Sequence, residues 1–129
     1  MTNPQKHRRP RRLAFAVAAA LAVALPWPAE GDEVTIQTIG QCPSGYFCVW
    51  SGTNFTGTIW KTNTTSSYKS IGPSTIHSLY NNRTKRSTLY ELSGGGGLSD
   101  CYNAGEQYSS LSGWRITANS VYLSTTTLC

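Results

Sequence analysis

Past residue 29 the chain holds a single histidine, His77, and six carboxylates: Glu30, Asp32, Glu33, Glu91, Asp100 and Glu106. General acid–base catalysis needs a titratable pair converging on one reacting atom, and no two of these stand at a spacing that a known motif uses. His77 lies in the strand-like run Ile76 to Asn81, where a hydrogen-bonded or surface role is the default. The basic group Arg83, Lys85 and Arg86 reads as a solvated hairpin tip. These residues therefore predict no enzyme and no cofactor.

The remaining reactive side chains are four cysteines, Cys42, Cys48, Cys101 and Cys129. No pair is two to four residues apart, so a zinc-type ligand set is disfavoured, and no metal site is expected. Three disulfide pairings are possible. Cys42 and Cys48 enclose only Pro43-Ser44-Gly45-Tyr46-Phe47, a turn-rich segment that brings its own ends together, which leaves Cys101 to pair with Cys129. On the loop-entropy model the bridges contribute about 2 and about 3.5 kcal/mol.

The setting of those cysteines is given by the first thirty residues. Lys6, Arg8, Arg9, Arg11 and Arg12 precede an apolar run from Leu13 to Leu25, then Pro26-Trp27-Pro28 and the small Ala29. The run is shorter than the roughly 20 residues that cross a bilayer. The pattern predicts a secretory signal peptide over residues 1–29, cleaved between Ala24 and Gly31, and a single domain over 30–129. Five of the eleven basic residues leave with it. From Glu30 onward Lys61, Lys69, Arg83, Lys85, Arg86 and Arg115 balance the six carboxylates, so the exported chain is formally neutral. That removes net charge as an argument for nucleic acid or an anionic membrane as partner. A secreted monomer of about a hundred residues has a marginal core, and disulfides are the usual staples.

Beyond the leader no ten-residue stretch carries apolar positions at helical spacing. Short runs rich in Val, Ile, Thr, Tyr and Trp alternate instead with Gly, Asn and Ser clusters. Strands are expected at 34–39, 46–50, 58–61, 76–81, 87–91, 99–102, 114–117 and 120–128, with turns at Ser51 to Asn54, Ile71 to Pro73, Gly94 to Gly97 and Ser112-Gly113. The fold class is all-β, a two-sheet sandwich. Thirty Ser and Thr residues in this segment replace charges on solvent faces, while seven Tyr and three Trp supply a core and argue against a disordered stalk.

The segment also repeats. Trp50, Phe55 and Gly57 are followed by Ser78; Tyr90, Gly95 and Gly97 are followed by Ser120. The offset is 40 at the aromatics and 42 at the serines, as expected for two copies of one supersecondary unit. In each copy a glycine at positive φ would let a hairpin fold over its own sheet, an aromatic would pack on it, and the serine would bond the exposed hairpin backbone. In the second copy Gly95 stands where the inner aromatic belongs.

These residues resemble the βγ-crystallin Greek-key motif, which implies two Greek keys forming one disulfide-stapled sandwich. The stretch Cys42-Pro-Ser-Gly-Tyr-Phe-Cys48-Val-Trp-Ser-Gly-Thr-Asn-Phe-Thr-Gly57 is similar to the secreted actinomycete metalloproteinase-inhibitor family, with Ser78 to Thr84 and Leu89-Tyr90 adding to the likeness. The resemblance implies an inhibitor of an extracellular protease, a metalloprotease of thermolysin type favoured. In that family a loop of the second half, closed by a local disulfide, presents a hydrophobic residue after a cysteine. Here that position is the loop Leu92 to Ala104, with Cys101-Tyr102 as the presented pair and Tyr46-Phe47 in the small ring as the rival. The likeness also raises calcium, which many microbial crystallin domains bind. The segments Pro73 to Ser78 and Arg115 to Ser120 lack a carboxylate or amide in their first two places, so no calcium site is expected. The competing reading is a non-inhibitory envelope or stress domain, or a small antimicrobial or carbohydrate-binding protein, on the same scaffold.

Overall fold

The computed structural model describes residues 38–129. The expected signal peptide, its cleavage site and most of the first expected strand lie outside the described residues. Eight strands follow in chain order: β1 (Tyr46–Trp50), β2 (Ile59–Thr62), β3 (Tyr68–Ser70), β4 (Ser78–Asn82), β5 (Ser87–Tyr90), β6 (Ser99–Tyr102), β7 (Gln107–Tyr108) and β8 (Ser120–Leu123). They form two four-stranded antiparallel sheets, ordered β2-β1-β4-β7 and β3-β8-β5-β6. The third strand of each repeat is thus exchanged into the sheet of the other. The all-β, two-sheet, disulfide-stapled fold expected from the sequence is the one observed.

Between the sheets lie Phe47 and Val49 of β1, Leu79 of β4, Leu89 of β5, Tyr102 of β6, and Val121 and Leu123 of β8, closed by Ile76 and Leu111. Alternate residues of a strand face opposite ways, so Cys48 and Trp50 point to the other side of β1. There they meet Cys42 and Phe55 in a second cluster, with Ile39 and Tyr46 packed against it. Strand β1 is therefore buried on both faces, which is why its sequence reads as an unbroken apolar run.

Four local expectations need correction. Residues 114–117 form a 3-10 turn (Gly113–Thr117) rather than a strand, entered through Gly113 at φ +63°. Thr38 and Ile39 also leave strand geometry, since Ile39–Gln41 is a 3-10 turn tied down by the Thr38 N–H and hydroxyl on the Phe55 carbonyl. The last strand stops at Leu123, because the Ser124 hydroxyl turns the chain by accepting from the Thr126 N–H at 3.0 Å. Strands β3 and β7, three and two residues long, had no sequence signature of their own.

Both bridges join the partners expected from spacing. Cys42 and Cys48 have Cα atoms 5.9 Å apart, and Cys101 and Cys129 5.8 Å. The basic turn is not a solvated tip. Arg83 is buried, and its guanidinium donates to the carbonyls of Arg86 and Ser124 and to the Ser87 hydroxyl, each within 2.9 Å. Ser87 in turn donates to Asn81, whose amide nitrogen donates to the carbonyls of Lys85, Tyr102 and Asn103. This buried network stitches the two sheets together where one repeat passes into the next.

Candidate functional site

The two hairpins that begin the repeats are built by the same hydrogen bonds. In the first, the Ser78 hydroxyl donates to the Gly52 carbonyl at 2.7 Å and accepts from the Phe55 N–H at 3.0 Å. In the second, the Ser120 hydroxyl donates to the Leu92 carbonyl at 2.6 Å and accepts from the Gly95 N–H at 3.1 Å. Each hairpin bears a glycine at positive φ, Gly57 at +80° and Gly97 at +73°. His77 belongs to this frame rather than to any reactive centre. Its Nδ1 donates to the Ser51 carbonyl at 2.5 Å, as the Asn119 amide donates to the Glu91 carbonyl at 2.8 Å in the other copy.

The first hairpin is filled by Phe55, which meets Trp50 edge to face at 5.3 Å. The second has Gly95 at that place, and a side chain comes from elsewhere. Tyr68 of β3 crosses from the first repeat and meets Tyr90 edge to face at 5.4 Å. A Cβ on Gly95 would fall inside the Tyr68 ring.

The second hairpin carries two of the exposed large apolar side chains, the others among the described residues being Tyr68, Tyr108 and Leu128. Leu92 and Leu98, 52 % and 56 % exposed, flank the glycine run on either side. Four successive glycines would by themselves leave such a loop too mobile to bind tightly, since binding must then cover the cost of ordering it. Here the backbone is already braced. Leu92 N–H donates to the Gly96 carbonyl at 3.0 Å, Glu91 N–H to the Leu98 carbonyl at 2.9 Å, and Leu98 N–H to the Glu91 carboxylate at 3.1 Å.

Neither presenting side chain expected from the sequence is on the surface. Tyr102 is 2 % exposed, in β6 between the sheets, and Phe47 is fully buried in β1. Both face inward because they sit on the core parity of their strands, in register with Ser87 and Asn81 respectively. Cys101 is half-buried and held to the chain end, and Tyr46 is half-buried, with a Lys61 ammonium 5.8 Å from its ring. The outer part of the small ring is Pro43-Ser44-Gly45, which offers no large apolar group. In the loop 92–104 the large apolar side chains that reach the surface are Leu92 and Leu98. The signal available in the sequence was a leucine on each side of the glycine run.

Beside β6, Asp100 accepts from Arg115 Nε at 2.5 Å and from the Tyr102 hydroxyl at 3.1 Å. Burial, followed by the Asp100 charge, pushes the Tyr102 phenol well above its usual range. The Asp100 carboxylate holds Arg115 protonated. Among the described residues no three His, Cys, Asp or Glu side chains converge as a metal site would require.

The model of peptidase inhibitor family I36 matches residues 37–102. No curated protein matches. A solved structure titled "Evolution of the eye lens beta-gamma-crystallin domain fold" aligns with a TM-score of 0.51 at 13 % identity, covering 64 % of this chain and 88 % of that one. A beta gamma crystallin from Ciona intestinalis aligns with a TM-score of 0.45 at 12 % identity, covering 61 % of this chain and 99 % of that one. At such identity the first of these speaks for the fold alone.

Proposed function

The chain belongs to peptidase inhibitor family I36, and from that membership we propose that it is exported and blocks an extracellular protease, a metalloprotease of thermolysin type favoured, through the β5–β6 hairpin. A family of peptidase inhibitors makes the protein a non-enzymatic partner of a protease. The observation that carries the finer reading is the pair Leu92 and Leu98, exposed on a hairpin whose backbone is held by Glu91 and Ser120. Export is supported by two disulfides and by the leader pattern of residues 1–29.

An inhibitor that survives its target must be rigid where it is gripped, since ordering a loop on binding weakens the complex. The hairpin meets that need through hydrogen bonds to its own glycine-rich backbone. A thermolysin-type protease prefers a large apolar side chain beside the scissile bond, and the two leucines supply that chemistry where Tyr102 does not.

The test is inhibition of thermolysin-type and serine proteases by the purified protein and by the L92D/L98D variant. Both side chains are exposed, so the variant should keep its circular dichroism and melting temperature. It should lose inhibition at least about a hundredfold, a difference of roughly 2.7 kcal/mol. Equal inhibition by the variant would move the presenting surface elsewhere, and absence of inhibition in the parent protein would refute the protease reading for both enzyme classes.

A further inference from the structure

Each repeat carries a cleft, and the two differ in what lines them. Trp60 on β2 stands in register with Val49 of β1, as Asp100 on β6 does with Leu89 of β5. Thr75 lines the first cleft and Arg115 the second, on the segments leading into β4 and β8. In the second repeat the cleft is about 360 Å³, and the Arg115–Asp100 ion pair lies in it, with the guanidinium 5.4 Å from the Trp114 ring. The first repeat has an indole at the place of Asp100, and a hydroxyl, that of Thr75, on the segment that carries Arg115 in the second. The cleft there is about 450 Å³, and no charged side chain lines it.

From this we infer that the Trp60 cleft binds a neutral saccharide, one pyranose ring lying against the indole. The lining sorts into two kinds of group. Trp60, Ile59 and Pro73 are apolar, while Thr58, Ser74 and Thr75 carry hydroxyls that bond no other described residue. A pyranose has the matching division, an apolar C–H face and a rim of hydroxyls that both donate and accept. Side-chain hydroxyls can answer either role. An anionic ligand would find no counter-charge. A polyproline peptide docks in a groove lined by several aromatic side chains, whereas this cleft has one.

The indole is held ready for such a contact. It packs on the core from the edge of the first sheet. Its Cδ1 lies where a side chain at residue 72 would press, since a Cβ on Gly72 would come within 2.9 Å of it. The glycine lets the ring rest against the turn backbone, so little side-chain freedom remains to be lost on binding. The volume lies within the roughly 300–1,000 Å³ range of small-molecule sites.

The purified protein should be titrated with uncharged oligosaccharides, namely cellohexaose, chitohexaose, maltohexaose and xylohexaose, with tryptophan emission as the readout for the parent chain and calorimetry as the readout for the parent and every variant, since variants at Trp60 lack the reporting indole. At least one should give a saturable shift with a half-point between about 10 μM and 1 mM. Trp60→Ala should abolish it. The double variant W60D/T75R, which places the ion pair of the second repeat in the first, should fold with unchanged circular dichroism and bind no saccharide. If either of these variants fails to fold, Thr75→Arg alone, at an exposed position, should weaken binding at least about tenfold. No saturable shift with any of the four sugars would overturn the inference, and so would undiminished binding by a folded W60D/T75R or Thr75→Arg protein.

Discussion

Tyr68 fills the space that a side chain on Gly95 would occupy, and by doing so supplies to the second hairpin the aromatic contact that Phe55 supplies to the first. The two repeats therefore fill their hairpins by different routes. One uses a residue of its own hairpin, at φ +59°; the other borrows a ring from the exchanged strand β3 and keeps a glycine, at φ +83°, beneath it. Replacing Gly95 by Phe should cost about 2–4 kcal/mol through overpacking and backbone strain. In a Tyr68→Ala background the same replacement should cost at least about 1 kcal/mol less. Urea unfolding of the four members of the cycle measures the coupling, and additive costs would show that the two positions do not share one space.

Arg83 is a buried cation whose partners are all neutral, and burial lowers its pKa. Its planar fork reaches three acceptors at once, which an ammonium on a flexible stem does not reproduce. Arg83→Lys should destabilise the domain by about 1–3 kcal/mol by leaving buried acceptors unpaired, and Arg83→Ala by more. Thermal melts check the order. Because Ser124 is among the acceptors, the lysine variant should also show faster amide exchange after Leu123.

Tyr102 is a core residue whose pKa is raised, first by burial and then by the Asp100 charge. The folded state binds this proton more tightly than the unfolded chain, whose phenol titrates near 10. The stability Tyr102 contributes is therefore fully present below pH about 10 and is lost as the pH rises toward the folded-state value. Melting temperature should fall above pH about 10, and less steeply in Tyr102→Phe. Tyr102→Asp should unfold the domain, at a cost of more than about 3 kcal/mol, by burying a charge beside Asp100.

The two bridges should differ in worth. Removing Cys42 and Cys48 as serines should cost about 2 kcal/mol, and removing Cys101 and Cys129 about 3.5 kcal/mol, because the second closes the longer loop. That second variant should in addition open the exposed tail to proteolysis, since hydrogen bonds alone would then hold it, from the Arg86 N–H to the Thr126 carbonyl, from Lys85 to the Thr127 hydroxyl, from the Arg86 guanidinium to the Leu128 carbonyl and from the Cys129 N–H to Asn103.

Local chemistry was legible in the chain. Spacing paired the cysteines, because the five residues between Cys42 and Cys48, with Pro and Gly among them, bring their own ends together. The repeat of Trp50, Gly57 and Ser78 at Tyr90, Gly97 and Ser120 marked the hairpins, because the aromatic and the glycine lie a few positions apart and the serine recurs at a near-constant distance from them. The bounds expected for strands β1 and β6 are those observed; for β1 the unbroken apolar run Tyr46 to Trp50 carries its own signal.

What depends on distant segments was not legible. Strands β3 and β7 exist because an open edge of the other sheet pairs with them, and their own two or three residues have no propensity that announces it. Tyr68 as the ring over Gly95, Arg83 as a buried seam and Trp60 beside an open cleft follow from that exchange. Tyr102 illustrates the same limit. Its type suits both a presented side chain and a core one, and strand parity between two sheets, a property of the assembled sandwich, put it inside, while Leu92 and Leu98 lie exposed on the connection between β5 and β6.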